Sequence, residues 1–292
     1  MKLIAAGVAA CAIALGVVLP ASSAAADACP TRMLFEVGGM GDPQGNVFNA
    51  GNAELPPGVE ATKVVYPAEI FPLAPKTLDD SNAEGRATMD RLVREFHASC
   101  PGSRITITGF SQGALVAGDT LGNLSKDNRI PHDLINGVLY SDARRVGVNG
   151  GPGGIMTNLP TFLPGITMGG PRTFGDIPVV SLCNQNDGIC HSENLLTNLL
   201  GFANGIQGYF SGAHSAYDFR PVTHNGSANT VFPQPPLIPY GPPLPLPIPT
   251  LWELFNGKPA AAGAMNTYRS VVSAVLPQAT KDRLDEFPGL AS

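Results

Sequence analysis

A serine hydroxyl becomes a useful nucleophile only when a base takes its proton and a carboxylate holds that base in one tautomer. Ser111 is placed for this chemistry in residues 103–120, SRITITGFSQGALVAGDT, where an alternating apolar stretch runs into Gly109-Phe110-Ser111-Gln112-Gly113 and then into a helix-like run. A Gly-x-Ser-x-Gly elbow puts the serine on a strained strand-to-helix turn, and a Cβ at either glycine would meet the neighbouring strand or helix. The motif is common by chance in a chain with 34 glycines, so its flanks carry the reading. Downstream, Asp187 lies just past an apolar stretch in the loop CNQNDGIC, and His191, His214 and His224 follow it. Hydrolases with such an elbow order the three groups serine, acid, histidine. All three histidines satisfy that order, so the residues alone leave the base open. A further loop, Gly38-Gly39-Met40-Gly41-Asp42-Pro43, follows an apolar stretch and has the backbone freedom to aim an N–H at a reacting oxygen.

The elements that must hold these groups read as alternating strands and helices. Residues 33–37 and 63–66 are expected as strands. A helix opened by a Ser81-x-x-Glu84 capping box should bury Met89, Leu92, Val93 and Phe96 and end at Cys100 and Pro101. The elbow strand follows, then strands over 133–140 and 178–182. That pattern predicts an α/β fold with a central, mostly parallel sheet flanked by helices. Residues 144–175 form a Gly- and Pro-rich excursion too long for a plain connection, which reads equally as a substrate cover or a surface loop. Residues 194–210 carry more apolar side chains than one helix face requires, for core packing or for an acyl-chain wall. Residues 233–249, PQPPLIPYGPPLPLPIP, exclude helix and interior strand and should run extended as a strap. Helical stretches are expected in a C-terminal appendage over 250–292, around 268–276 and 281–287.

At 292 residues the chain holds one large α/β domain plus an appendage, and its net charge of −5, without a basic block, argues against nucleic acid as a partner. Residues 1–26 read as a signal peptide: Lys2, an apolar run from Leu3 to Leu19, and Ala24-Ala25-Ala26 as the cleavage site. A secreted or cell-envelope location follows, and with it an oxidising compartment. Removing Cys11 with the signal leaves Cys29, Cys100, Cys183 and Cys190, which allow three pairings. Cys29 with Cys100 and Cys183 with Cys190 is favoured, because the latter two flank a short loop. A zinc site on Cys183, Cys190 and His191 is the alternative, but its spacing matches no common ligand pattern.

The ordered stretches GGMGDP, VVYPAEIFPLAP, DDSNAEG, ITGFSQGA, CNQNDGIC and HSAY together resemble the PE-PPE domain of mycobacterial exported serine hydrolases, itself similar to cutinases. The resemblance covers residues 29–232. It implies an α/β-hydrolase fold, with Ser111 as nucleophile, Asp187 as acid and His214, in H-x2-Y, as base, and it supports both disulfides. Relatives often carry threonine where this chain has Met40, so the backbone N–H groups of Met40 and Gln112 are expected to form the oxyanion hole. A signal peptide stands where relatives carry a PE or PPE helical module. The domain expectation is a catalytic unit over 27–232, the strap over 233–249 and the appendage over 250–292. The functional expectation is a serine esterase or lipase-like hydrolase of acyl esters that calls on no metal or organic cofactor. An acyltransferase between envelope glycolipids of the trehalose-ester type is the near alternative, and a non-catalytic surface binding protein the distant one.

Overall fold

A computed structural model of the protein describes residues 29–255. Six strands, β1 (Arg32–Val37), β2 (Val59–Lys63), β3 (Arg104–Phe110), β4 (Ile135–Tyr140), β5 (Val179–Asn184) and β6 (Ala228–Phe232), form one sheet in the order β2-β1-β3-β4-β5-β6, every pair parallel. The helices are α1 (Asn49–Asn52), α2 (Leu78–Ser99), α3 (Gln112–Leu124), α4 (Leu199–Phe210) and α5 (Leu251–Phe255). This is the α/β-hydrolase architecture expected. The chain leaves β1 toward one edge to make β2 and re-enters on the other side as β3, so the strand order reverses between β1 and β3. In open parallel sheets the crevice beyond the strand ends at such a reversal is where ligands bind.

Strands of a parallel sheet are covered on both sides and read as near-continuous apolar runs. Ile105, Ile107, Ile135 and Leu139 face α2 and α3 within the main core. Val138, Tyr140, Val180 and Leu182 face the other way, onto Phe48 and the segment carrying Tyr217 and Phe219. Thr106 and Thr108 are buried in β3, and their hydroxyls donate to Asn136 Oδ1 and the Val138 carbonyl at 2.7 and 2.8 Å, so the strand carries polar groups without leaving them unpaired. In α2 the buried residues Leu78, Ser81, Asn82, Gly85, Met89 and Val93 recur at helical spacing.

Several boundaries differ from the sequence reading, each because a specific hydrogen-bond partner intervenes. The second strand ends at Lys63 instead of running to Tyr66: Val64 still donates to the Glu36 carbonyl, but the chain then leaves the sheet so that the Tyr66 hydroxyl reaches the Gly38 carbonyl at 2.8 Å. The first long helix begins one turn before Ser81, capped by Thr77, whose Oγ1 accepts from the Asp80 N–H at 3.1 Å. Ser81 is buried inside the helix, and its Oγ accepts from the Glu69 N–H and the Gln112 side chain. The helix expected from Asn194 starts at Leu199, because Asn198 Oδ1 accepts from the Gly201 N–H and sets the cap there. The edge strand β6 has no counterpart in the sequence reading; its residues are exposed or half-buried and carry little apolar alternation.

The excursion after β4 is fastened by arginines. Arg172 donates to Asp119, Asp142 and the Ala114 carbonyl, and Arg145 donates to the Cys190 carbonyl and Asn229. The strap carries no helix or strand, as its prolines require, and it lies along α4. Asn204 Oδ1 accepts from the Leu237 and Ile238 N–H groups, Asn186 Nδ2 donates to the Pro235 carbonyl, and the Leu244 N–H donates to the Thr197 carbonyl. The expected signal peptide, Cys11 and the helical stretches expected around 268–276 and 281–287 lie outside the described residues.

Candidate active site

Ser111 leaves β3 at φ 54° and ψ −117°, backbone angles that a side chain rarely adopts. The two motif glycines make the turn possible. A Cβ on Gly109 would sit 2.1 Å from the Gly113 carbonyl oxygen, and one on Gly113 would sit 2.3 Å from the carbonyl oxygens of both Val37 and Gly38. The Gln112 side chain anchors the start of α3 by donating to the Glu69 carbonyl, Ser81 Oγ and Asn82 Oδ1. Ser111 Oγ is thereby fixed 2.8 Å from His214 Nε2.

His214 Nδ1 lies 2.9 Å from Asp187 Oδ1, so one hydrogen-bonded chain joins residues that the sequence spreads over more than a hundred positions. Two rings hold the imidazole, Phe110 at 5.0 Å and Tyr209 at 4.6 Å between centroids. Its loop is tied to the end of β5 by Asn184 Nδ2, which donates to the Ala213 and Ala216 carbonyls. Asp187 is fully buried. Burial alone would push its carboxyl up, but hydrogen bonds and charge from His214, with the hydroxyls of Ser141 and Tyr217, outweigh it and hold the group below the usual carboxylate range. Tyr217 donates to Asp187 Oδ2 at 2.7 Å, and the Ile189 N–H donates to Oδ1 at 3.1 Å. The acid is thus ionised and oriented.

The rival histidines are elsewhere. His191 is half-buried with its Nδ1 unpartnered among the described residues, and burial followed by the Arg145 charge lowers its pKa to about 4. His224 faces the edge of the Tyr140 ring at 6.4 Å. Among the three, His214 is the one bonded to Ser111. Cys29 is bridged to Cys100 and Cys183 to Cys190, so the two cysteines of the zinc alternative are tied up in a disulfide and are not metal ligands.

The GGMGDP loop lies directly over the elbow, since a Cβ on Gly39 would come within 3.3 Å of Ser111 Cβ. Gly41 donates to the Ala68 carbonyl, and the Asp42 carboxylate accepts from the Asn46 and Val47 N–H groups. The backbone N–H groups of Met40, in this loop, and of Gln112, next to Ser111 in sequence, have no acceptor among the described residues. Beside the site, Leu115, one turn past the serine, joins Ile70, Phe162, Ile166 and Ile189 in an apolar cluster.

A model of the cutinase family matches residues 27–217. The chain belongs to the cutinase family. Among its relatives is the carboxylesterase Culp6 homolog of Corynebacterium glutamicum, 32% identical over 174 residues that cover 53% of this chain and 56% of that protein. Another is the probable carboxylesterase Culp3 of Mycobacterium tuberculosis, 28% identical over 217 residues that cover 70% of this chain and 71% of that protein. The match to the first thus spans little more than half of its length. Solved structures similar to this cutinase-family chain include an acetylxylan esterase, 18% identical over 64% of this chain and 97% of that one, TM-score 0.43. A cutinase-like protein from Cryptococcus sp. is 19% identical over 69% and 98%, also at TM-score 0.43.

One residue of the site, Ser141, escaped the sequence reading, and Tyr217 entered it only as the tyrosine of H-x2-Y. Ser141, at the end of β4, brings its hydroxyl to 3.0 Å from His214 Nδ1, and Tyr217 grips the acid. Both lie where the carboxyl ends of parallel strands gather, and that placement was the signal that could have found Ser141.

Proposed function

We propose that this protein is an exported serine esterase that hydrolyses acyl esters through an acyl-enzyme. The observation that carries the reading is the continuous hydrogen-bonded chain from Ser111 Oγ through His214 to Asp187 on a strained elbow. Ser111 Oγ attacks the ester carbonyl carbon as its proton passes to His214 Nε2, and Asp187 stabilises the imidazolium without taking the proton. The developing oxyanion is received by the Met40 and Gln112 N–H groups, which are otherwise unpartnered. Collapse breaks the bond to the alcohol oxygen, which leaves with the proton from His214. A water then repeats the sequence and releases the acid. The half-buried Ile70, Phe162, Ile166 and Ile189 provide the apolar surface for the acyl chain.

The names of the two relatives support an ester substrate, and the resemblance to the PE-PPE domain is the narrower form of the same proposal. Two disulfides within the described residues support export to an oxidising compartment. The division into a catalytic unit over 27–232, a strap and an appendage is retained as part of this proposal. The test is incubation with acyl esters of graded length, with and without a trehalose-type acceptor, alongside fluorophosphonate labelling. Free acid should form and a single serine should label, both lost in Ser111→Ala. Acyl chains appearing on the sugar would make the protein a transferase, and labelling that persists in Ser111→Ala would remove Ser111 from the role.

A further inference from the structure

Ser141 is the second serine of this site with a backbone that glycine would adopt without strain. Its φ is 52°, close to the 54° of Ser111. The two are in register: Phe110 pairs with Tyr140, so Ser111 and Ser141 are the next residues off adjacent strands. Each N–H is pinned across the sheet, Ser111 to the Tyr140 carbonyl and Ser141 to the Leu182 carbonyl, both at 3.0 Å. Ser141 is fully buried, and the next residue, Asp142, is locked by Arg172 at 2.7 Å. The hydroxyl therefore has a fixed origin. It lies 3.0 Å from His214 Nδ1, and it is among the groups that hold the Asp187 carboxyl below its usual range. A strained position filled by a residue with a side chain, where none would be easier, points to a use for that side chain.

We propose that Ser141 is a positioning residue that holds the His214 ring in the tautomer and tilt that present Nε2 to Ser111. With the Nδ1 proton directed at Asp187, the Ser141 oxygen is its second acceptor, while the Ser141 O–H is free to donate to the carboxylate. The ring is then restrained at Nδ1 by two groups from two different strands' ends instead of one. A rotation that broke the Asp187 bond would still leave the proton on the side away from Ser111. This inference rests on the reading of Ser111, His214 and Asp187 as the reacting groups.

The test is Ser141→Gly in the full chain, with Ser141→Ala beside it. Glycine removes the hydroxyl and also relieves the backbone, so a merely structural serine predicts an equal or higher melting temperature and unchanged turnover. The expectation is a melting temperature equal to or above wild type, kcat on 4-nitrophenyl butyrate lower by about tenfold at unchanged KM, and fluorophosphonate labelling slowed in proportion. The downfield proton resonance of His214 Nδ1–H should move in both variants. Alanine should show the same loss of kcat without the gain in melting temperature. Wild-type kcat in a folded Ser141→Gly, with the Nδ1 proton resonance unmoved, would overturn the proposal. If wild type itself neither labels nor hydrolyses, the esterase reading fails, and the resonance comparison still decides whether Ser141 orients the ring.

Discussion

Three histidines follow Asp187 in the chain, and their surroundings give them different chemistry. His214 keeps one nitrogen on a hydroxyl and the other on a carboxylate, the arrangement of a general base. His191 is half-buried, has no bond to Ser111 and stays neutral well below the usual histidine range, because burial first and the Arg145 charge second disfavour its protonation. The sign of the pH effect follows. The unfolded chain takes up a proton at His191 near pH 6.5, whereas the folded chain resists until about pH 4, so the stabilisation is complete above the unfolded value and is lost as pH falls between the two. Asp187 does not interfere, since its depressed carboxyl stays ionised through that window. His191→Phe should therefore flatten the acid limb of stability. Urea unfolding at pH 7 and pH 5 should show wild type losing on the order of 2 kcal/mol more than the variant between the two. Parallel losses would mean that His191 is protonated in the folded protein.

At the scale of elements, the acid loop is clamped from two sides. The Cys183–Cys190 bridge closes it at a separation of 7 residues. On the other side α4 presses against it through glycines: a Cβ on Gly208 would lie 1.8 Å from the Asn186 carbonyl oxygen, and Gly188 donates to the Gly205 carbonyl. The excess of apolar residues in this helix is accordingly split, with Phe202 buried in the core and Leu200 and Phe210 exposed. Closing so short a loop contributes about 2.5 kcal/mol in the chain-entropy model, against about 4 kcal/mol for Cys29–Cys100, whose separation is 71. The short loop carries Asp187 and the long one does not. Cys183→Ala with Cys190→Ala should lower the melting temperature modestly and turnover by a larger factor, while Cys29→Ala with Cys100→Ala should do the reverse. Thermal melts and kcat on the same samples make the comparison. Full turnover in the short-loop variant would show that α4 alone positions the acid.

At the scale of the molecule, the strap joins parts that are far apart in the chain. Its amides are received by Asn204, whose Nδ2 donates to Asn186, the neighbour of Asp187. Farther on, the Trp252 indole donates to the Met168 carbonyl in the excursion after β4. A chain ended at Phe232 should still fold and label at Ser111, because the sheet and the site lie before that point. It leaves the buried Asn204 oxygen and the Asn186 amide without their strap partners, however, which costs roughly 1–3 kcal/mol for each group that water does not reach. The expected result is a soluble protein with a lower melting temperature and slower labelling than the full chain. An insoluble or molten product would make the strap part of the core and end its description as a separable segment.

Much of this was legible in the residues. Strand-turn-helix around Ser111, small residues where backbones must touch, and apolar spacing in α2 are local or periodic properties, and the linear order records them directly. The strap's lack of regular structure follows from proline chemistry at each position. Boundaries moved where a distant partner intervened, as when Tyr66 left the sheet for Gly38 and Ser81, bonded to Glu69 and Gln112, left the cap to Thr77. The choice among His191, His214 and His224 is not local at all. Each follows Asp187 in the right order, and only the fold brings one of them to 2.8 Å from a serine 103 residues away. Ser141 was invisible for the same reason, since a hydroxyl after an apolar run says nothing until register sets it beside Ser111. Composition and spacing determined the strand-turn-helix around Ser111 and the parallel sheet. Hydrogen bonds act over about 3 Å whatever the separation along the chain, so which groups share a proton was decided by the tertiary structure.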